Sequence, residues 1–443
     1  MSRLIRHLLC AAAATAALSA TASAQLLGVS ALPPVNLPVG TGNLPLAGPV
    51  IQDILAQPGA QQAISPTLDT VSGIAEPIAS SGAPNLLELR RLRLRELIRT
   101  NRATVEDDGN GLPVRRGIVA VLDPDPAGLA AASRAGFRVV ADGSDPNLGL
   151  RLVTLSVPAG MSARDGLRLL RRVAPALQAD FDHLFEPAGG SLAPIAGPLA
   201  TAGGPGGRVI GMIDGGVASH PSLAGKSIEQ NGFAGAPQPT GHGTAVASLL
   251  VGSQGPFRGA APGARLFVAD VYGGDRAGGS ATAIVRALGW LAGHRPQVIN
   301  ISLVGPPNAL VQRAIQIVQS RGIEVIAAVG NDGPAAPPQY PASYPGVIAV
   351  TAVDAHGHAL PEAGRATHLD FAAPGADMAA ALPGTGYARV RGTSFAAPLV
   401  AARMLADGSV AALAAEARPG KGRVGRGIVC GLCRTDPKIV GAR

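Results

Sequence analysis

The sequence predicts an α/β protein: a mostly parallel sheet covered by helices, preceded by a smaller α/β unit. Two observations carry the larger unit. Short Val/Ile runs alternate with longer Ala/Leu segments over the second half of the chain, and those runs are nearly continuous in apolar residues. Strands of that kind are buried on both faces, as in a parallel sheet with helices on each side. The third observation is a separate group of strand and helix patterns ahead of it, set off by stretches rich in Gly, Pro and Ala.

The 443 residues suffice for one sizeable core and one or two smaller modules. Hydrophobic residues make up 47% and aromatics only 3%, so Ala, Val, Leu and Ile must fill that core. Gly (59) and Pro (38) are abundant but lack the strict period of a collagen. The formal charge of +8 is spread along the chain without a zinc-finger, homeodomain or RNA-binding signature, which argues against a nucleic-acid partner.

Residues 1–24 read as a signal peptide: Arg3, Arg6 and His7 precede an apolar run, and Ala22-Ser23-Ala24 forms a small-x-small cleavage site. No later run is long and apolar enough for a membrane span. The expectation is an exported protein, periplasmic or secreted. Residues 25–84 read as a Pro/Gly/Ala-rich linker. Residues 85–115 read as a basic helix, LLELRRLRLRELIRTNR, and a connecting linker. Such a helix can lie on an anionic membrane, but docking on the next domain by part of its leucine face is the favoured reading.

Residues 116–186 form the small unit. Strands are expected at 117–122, 137–141, 150–157 and 177–184, with helices at 126–135 and 163–173. That order is the ferredoxin-like split arrangement. Ser162 is placed as an N-cap, with Asp165 in the first turn. Residues 187–206 read as a linker of the type that is readily cut. In the unit 207–443, strands are expected at 208–213, 264–269, 298–303, 322–329 and 346–352, and helices at 244–251, 281–292, 309–320 and 395–406.

Reactive side chains fall at the ends of these elements, where open α/β sheets gather their chemistry. Asp214 directly follows a strand. His242 lies in Gly241-His242-Gly243-Thr244 at a helix opening, and Ser394 lies in Gly392-Thr393-Ser394-Phe395-Ala396-Ala397-Pro398 at another. Taken singly, each has an ordinary reading as a cap or a packed residue. Together they supply the nucleophile, base and orienting carboxylate that acyl transfer requires.

The motifs DGG, GHGTAVA and GTSFAAP, in the order Asp, His, Ser, resemble those of the subtilisin-like serine peptidases over roughly residues 205 to 430. The resemblance implies a serine endopeptidase with Ser394 as nucleophile, His242 as general base and acid, and Asp214 as orienter. It also matches Val329-Gly330-Asn331-Asp332-Gly333-Pro334 to the family's segment whose asparagine donates to the oxyanion, here Asn331. Ser302, Leu303, Val304 and Gly330 would line the track of an extended peptide substrate. Two positions depart from the family pattern. Gly215 replaces the usual Ser or Thr, which removes one hydrogen bond to the carboxylate. Val304 stands where glycine is common, with Gly305 one place late, which narrows the pocket.

The resemblance further implies that residues 116–186 act as a propeptide. This domain would assist folding and block the active site with a tail beginning at Leu184-Phe185-Glu186-Pro187. The partners expected are therefore protein or peptide substrates and the chain's own N-terminal domain as an inhibitor. No cofactor is required for the chemistry. Structural calcium is common in the family, and its ligands cannot be named from this sequence. Cys430 and Cys433 form the one CxxC, without the further ligands of a zinc site, and an exported protein would pair them. Two other readings compete. One is an inactive scaffold that keeps the fold, and the intact set of residues argues against it. The other is an esterase, whose fold would place a G-x-S-x-G elbow first in chain order. The geometry expected of the site is Asp214 and Ser394 each about 3 Å from opposite ring nitrogens of His242.

Overall fold

Helix α1 (Pro84–Thr100) opens the part of the chain described by the computed structural model, which comprises residues 84–189, 207–275 and 277–442. The expected signal peptide, all of the expected 25–84 linker except Pro84, and most of the 187–206 linker lie outside the described residues. After α1 come β1 (Val105–Asp107), β2 (Pro113–Leu122), α2 (Pro126–Arg134), β3 (Arg138–Asp145), β4 (Leu150–Ser156), α3 (Ala163–Val173) and β5 (Gln178–His183). β2 is the centre of an antiparallel sheet, flanked by β5 along one side and, on the other, by the short β1 near its start and β4 near its end, with β3 beyond β4. The sheet therefore begins earlier than residue 116, because the three-residue β1 is too short to show an alternation. Ser162 caps α3 as the sequence suggests: its side chain accepts from Asp165 N and donates to Asp165 Oδ2.

The alternation within β2 separates two cores. Val119 and Val121 pack with Leu155, Leu167 and Leu170 under α2 and α3. Ala120 and Leu122 face the other way and join Leu150 in a core shared with the larger unit. β5 makes that junction polar as well as apolar. Asp182 accepts from Thr282 N (2.9 Å) and Thr282 Oγ1 (3.1 Å), and Asp180 accepts from Ala309 N (2.8 Å). Both carboxylates thus sit on the first turns of helices, where free N–H groups and the helix dipole favour negative charge.

The chain then passes through β6 (Glu186–Pro187) to the large sheet. This sheet comprises β7 (Val209–Asp214), β8 (Ile228–Gly232), β9 (Arg265–Asp270), β10 (Val298–Ile301), β12 (Glu324–Ala328), β13 (Ile348–Val353) and β14 (Phe371–Pro374), with β11 (Leu303–Val304) standing apart from it. All its pairs are parallel, in the order β14-β13-β12-β10-β7-β9-β8. An antiparallel pair, β15 (Met378–Ala381) and β16 (Tyr387–Val390), follows. Helices α4 (Gly241–Val251) and α7 (Thr393–Asp407) cover one face and α5 (Ala281–Gly293) and α6 (Ala309–Ser320) the other; α8 (Val410–Glu416) packs on α7.

Two features depart from the sequence reading. The strand expected at 298–303 ends at Ile301; Leu303 and Val304 turn away to pair with Pro187 and Glu186. β8 and β14 escaped notice because IEQNG is a polar edge strand and FAAP carries one large apolar residue. Cys430 and Cys433 are joined by a disulfide, with Cα atoms 5.2 Å apart. Among the described residues, no single helix is long and apolar enough to cross a membrane, and no group of three or more His, Cys, Asp or Glu is arranged to hold a metal.

Candidate active site

Asp214 is the last residue of β7, a strand held on both sides, so its carboxylate has a fixed origin at the carboxyl edge of the sheet. His242 lies in the first turn of α4, whose start is fixed by Thr240 accepting from Gly243 N at 2.9 Å. The two meet across the crevice: His242 Nδ1 lies 2.8 Å from Asp214 Oδ1, which also accepts from Gly215 N at 2.7 Å. Both side chains are buried, so the pair is shielded from solvent screening.

Gly215 has a steric cause. A Cβ there would come within 2.5 Å of Thr240 Oγ1, the atom that caps the histidine helix. As expected from that substitution, the second carboxylate oxygen, Asp214 Oδ2, is buried without a hydrogen-bond partner among the described residues.

Ser394 enters at the first turn of α7 and is fully buried. The expected contact between its hydroxyl and the ring is not made in this state. Among the described residues, His242 Nε2 and Ser394 Oγ are both buried without a hydrogen-bond partner. The segment after β6 runs against the hydroxyl: a Cβ on Gly189 would lie 2.9 Å from Ser394 Oγ and 2.9 Å from Asn331 Nδ2. His242 packs instead against Phe395, with ring centroids 5.4 Å apart.

Asn331 follows β12 and is oriented from both ends of its amide. Its Oδ1 accepts from Thr393 N at 3.0 Å, and its Nδ2 donates to the Ala188 carbonyl. Thr393 also accepts from Gly330 N at 3.0 Å, which ties the asparagine turn to the serine turn. Gly392 is required here twice over: its φ is +142°, and a Cβ would sit 2.6 Å from Asn331 Nδ2. Thr393 lies within the serine motif, and its position between Gly392 and Ser394 is the one sequence signal of this bridging role.

The predicted substrate track is occupied by the chain itself. Pro187 and Glu186 pair antiparallel with Leu303 and Val304, and Ala188 N donates to Ser302 O at 3.0 Å. The Ser302 hydroxyl donates to Ser394 O at 2.9 Å and accepts from Asn300 Nδ2 at 2.9 Å, binding the track to the serine turn. Among the described residues, Gly330 makes no hydrogen bond to this inserted segment, hereafter the strap; with φ +87° it lies where a Cβ would be 3.4 Å from Val304 Cγ1. Phe185, only 1% exposed, completes the strap. Its N–H donates to Gly279 O at 2.9 Å, and its carbonyl accepts from Tyr272 Oη at 3.2 Å. Gly305 makes room for its ring, since a Cβ there would lie 2.4 Å from Phe185 Cδ1. The displaced glycine of the sequence thus has a use.

A second buried His–Asp pair, His183 Nε2 and Asp108 Oδ2 at 3.8 Å, belongs to the small unit; His183 Nδ1 faces the helix-capping Asn308 across the junction with α6. No serine is hydrogen-bonded to that ring among the described residues, and none of the three motifs falls on it.

Comparison with known proteins agrees with this arrangement. The Subtilase family model matches residues 206–420. Subtilisin BL of Lederbergia lenta is 34% identical over 197 residues, which cover 43% of this chain and 72% of the relative. Thermitase of Thermoactinomyces vulgaris is 34% identical over 212 residues, covering 44% of this chain and 72% of the relative. Among solved structures, fervidolysin from Fervidobacterium pennivorans, a keratinolytic enzyme related to subtilisin, gives a TM-score of 0.59 at 19% identity, covering 72% of this chain and 61% of that one. The epidermin leader peptide processing protease of Staphylococcus aureus gives 0.54 at 16%, covering 71% and 97%. These two likenesses concern the fold alone.

Proposed function

We propose, for a chain that belongs to the subtilase family, that Ser394, His242, Asp214 and Asn331 carry its chemistry and that its N-terminal region is an inhibitor it removes itself. The protein is a serine endopeptidase. In this reading Ser394 Oγ attacks the carbonyl carbon of the substrate while His242 Nε2 takes the hydroxyl proton. Asp214 holds Nδ1–H and so fixes the tautomer that leaves Nε2 free to accept. Negative charge develops on the carbonyl oxygen, where the Asn331 amide donates; such a donor is worth about 3 kcal/mol in the transition state. Collapse expels the amine, which takes its proton from His242. Water then enters, loses a proton to the same ring and releases the acyl group from Ser394.

The observation that carries the reading is the hydrogen bond from Asn331 Nδ2 to the Ala188 carbonyl, with Gly189 lying against Ser394 Oγ. It supports a definite assignment of the processed bond: Ala188–Gly189. The strap Phe185-Glu186-Pro187-Ala188 would be the acyl side, and residues 116–186 a ferredoxin-like propeptide domain docked through Asp180 and Asp182. The small buried Ala188 and the deeply seated Phe185 favour substrates with a small residue before the cut and an aromatic one three places upstream. An export signal at 1–24 and delivery to the periplasm or the medium fit a precursor kept closed by its own strap.

Expression of wild type beside Ser394→Ala tests the reading. Mass mapping should find wild type trimmed to a product beginning at Gly189, while the variant keeps the full precursor. Equal N-termini in both, with wild type cutting casein, would refute self-processing.

A further inference from the structure

Asp332 follows Asn331 directly and shares its motif, yet the catalytic reading gives it no role. Its carboxylate is only 8% exposed, and what covers it is helix α1. Arg90 Nε donates to Asp332 Oδ2 at 3.0 Å, and Arg93 Nη2 donates to Asp332 Oδ1 at 3.0 Å. Leu86 of the same helix lies over Gly333, where a Cβ would be 2.9 Å from Leu86 Cδ1. The helix, which the sequence favours as docked on the next domain by part of its leucine face, is thus held on the asparagine turn, largely by guanidinium groups.

Arg93 makes a second contact. The Nη2 that binds Asp332 also donates to Glu186 Oε2 at 3.3 Å, and Nε donates to Glu186 Oε1 at 3.2 Å. Glu186 and Asp332 therefore lie two hydrogen-bond lengths apart, with one cation between them. The Coulombic attraction of Glu186, followed by that of Asp332, raises the basicity of Arg93, whose side chain remains 41% exposed. Glu186 is the third residue before the proposed cut and pairs with Val304 along the substrate track. Without α1, and so without both Arg90 and Arg93, the two carboxylates would face each other across a narrow cavity that Glu186, Val304, Asp332 and Gln339 help to line.

We infer that Asp332 is the part of the substrate site that binds a basic side chain on the third residue before the cut, and that Arg93 of α1 fills that role in the uncut chain. This rests on the peptidase reading above. A peptide arriving in place of the strap comes without α1. An Arg or Lys at the position of Glu186 then pairs with Asp332, and a Glu there meets like charge at short range. The strap is thereby a ligand that binds well only while α1 accompanies it.

The test uses the full chain, left to process itself and then titrated at Ser394 with a fluorophosphonate. Peptides Phe-Xaa-Pro-Ala-Gly-Gly, with Xaa Arg, Gln or Glu, are compared by kcat/KM in low salt. Wild type should prefer Arg over Glu by about tenfold, mainly through KM, in the range of a partly shielded ion pair set against a like-charge contact. The ratio should fall to within about twofold in Asp332→Asn and at about 0.5 M salt, and return in Asp332→Glu. Ratios taken within one enzyme are insensitive to how much of each variant folds. Equal rates for all three peptides, or a preference that survives Asp332→Asn, overturn the inference. No labelling and no cleavage overturn the peptidase reading beneath it. An independent arm uses the Ser394→Ala full chain. There Arg93→Gln should speed cutting of the 187–206 segment by an added protease, and Glu186→Arg in the same chain should slow it again. Failure of that rescue also counts against Asp332.

Discussion

If residues 185–188 act as the proposed inhibitory strap, replacing Phe185 with alanine should release it while leaving the catalytic residues in place. The ring is 1% exposed, enclosed by Gly305, Tyr272 and the core that includes Leu303. Truncating a buried phenylalanine to alanine costs about 3–5 kcal/mol when the cavity stays empty. The groove can fill with water once the strap loosens, so the lower end, about 3 kcal/mol, is the appropriate figure, and it corresponds to roughly a hundredfold in affinity. The backbone hydrogen bonds of residue 185 to Gly279 and Tyr272 remain available to alanine and set no further penalty. The assay is the lag before casein hydrolysis in full-chain preparations of matched concentration, with active sites counted by fluorophosphonate. Inhibition by the retained N-terminal fragment should weaken by about a hundredfold, shortening the lag. Val139→Ala, at a site 53% exposed on β3, is the control and should leave the lag unchanged. A change below about threefold for Phe185→Ala would show that the ring does not anchor the strap.

Asn331→Ala should lower kcat by about 10²–10³ with KM within a few-fold, because its amide acts on charge that exists only in the transition state; steady-state kinetics on one peptide decides this, and a change confined to KM contradicts it. The pH response of domain docking should reside in Asp182. Burial pushes its carboxyl up from the ordinary value of 3.8, against the hydrogen bonds from Thr282 and the attraction of Arg115 and Arg286. A raised carboxyl contributes most below 3.8, and the contribution is lost as pH rises through the raised value. Asp182→Asn keeps an acceptor for Thr282 N and removes that loss. In Ser394→Ala full chains, its denaturation midpoint relative to the parent should therefore be higher at about pH 8 than at about pH 4. A difference that is constant or runs the other way rejects the assignment.

Much of this molecule was legible because its signals are local. Continuous apolar strands such as Val209–Asp214 and Ile348–Val353 follow from composition and length, and α6 at Ala309–Ser320 has the limits the sequence suggested. Glycine-framed His242 and Ser394 stood out for the same reason. What escaped is non-local. Arg90 lies 242 residues from Asp332 in sequence, and nothing in either segment announces the other. Phe185 could be named as part of a tail, but its burial depends on Gly305, a residue notable only for standing one place late.

The same distinction bears on Gly215. From sequence it reads as a loss, a missing hydroxyl beside a catalytic carboxylate, and Asp214 Oδ2 is indeed unpartnered. The structure adds the reason the loss is tolerated. Thr240 occupies the space a side chain at 215 would need, and its hydroxyl caps the helix that carries His242. An N-cap of this kind contributes about 1 kcal/mol to its helix, and here it also fixes where the imidazole starts. Asp214 Oδ1, meanwhile, is held by both Gly215 N and His242 Nδ1. One carboxylate oxygen is thus fully engaged while the second is left without a partner among the described residues. The carboxylate needs one well-held oxygen to orient the ring. A hydroxyl at 215 would support the other oxygen at the expense of the Thr240 cap, and so trade the position of the base for the comfort of the acid.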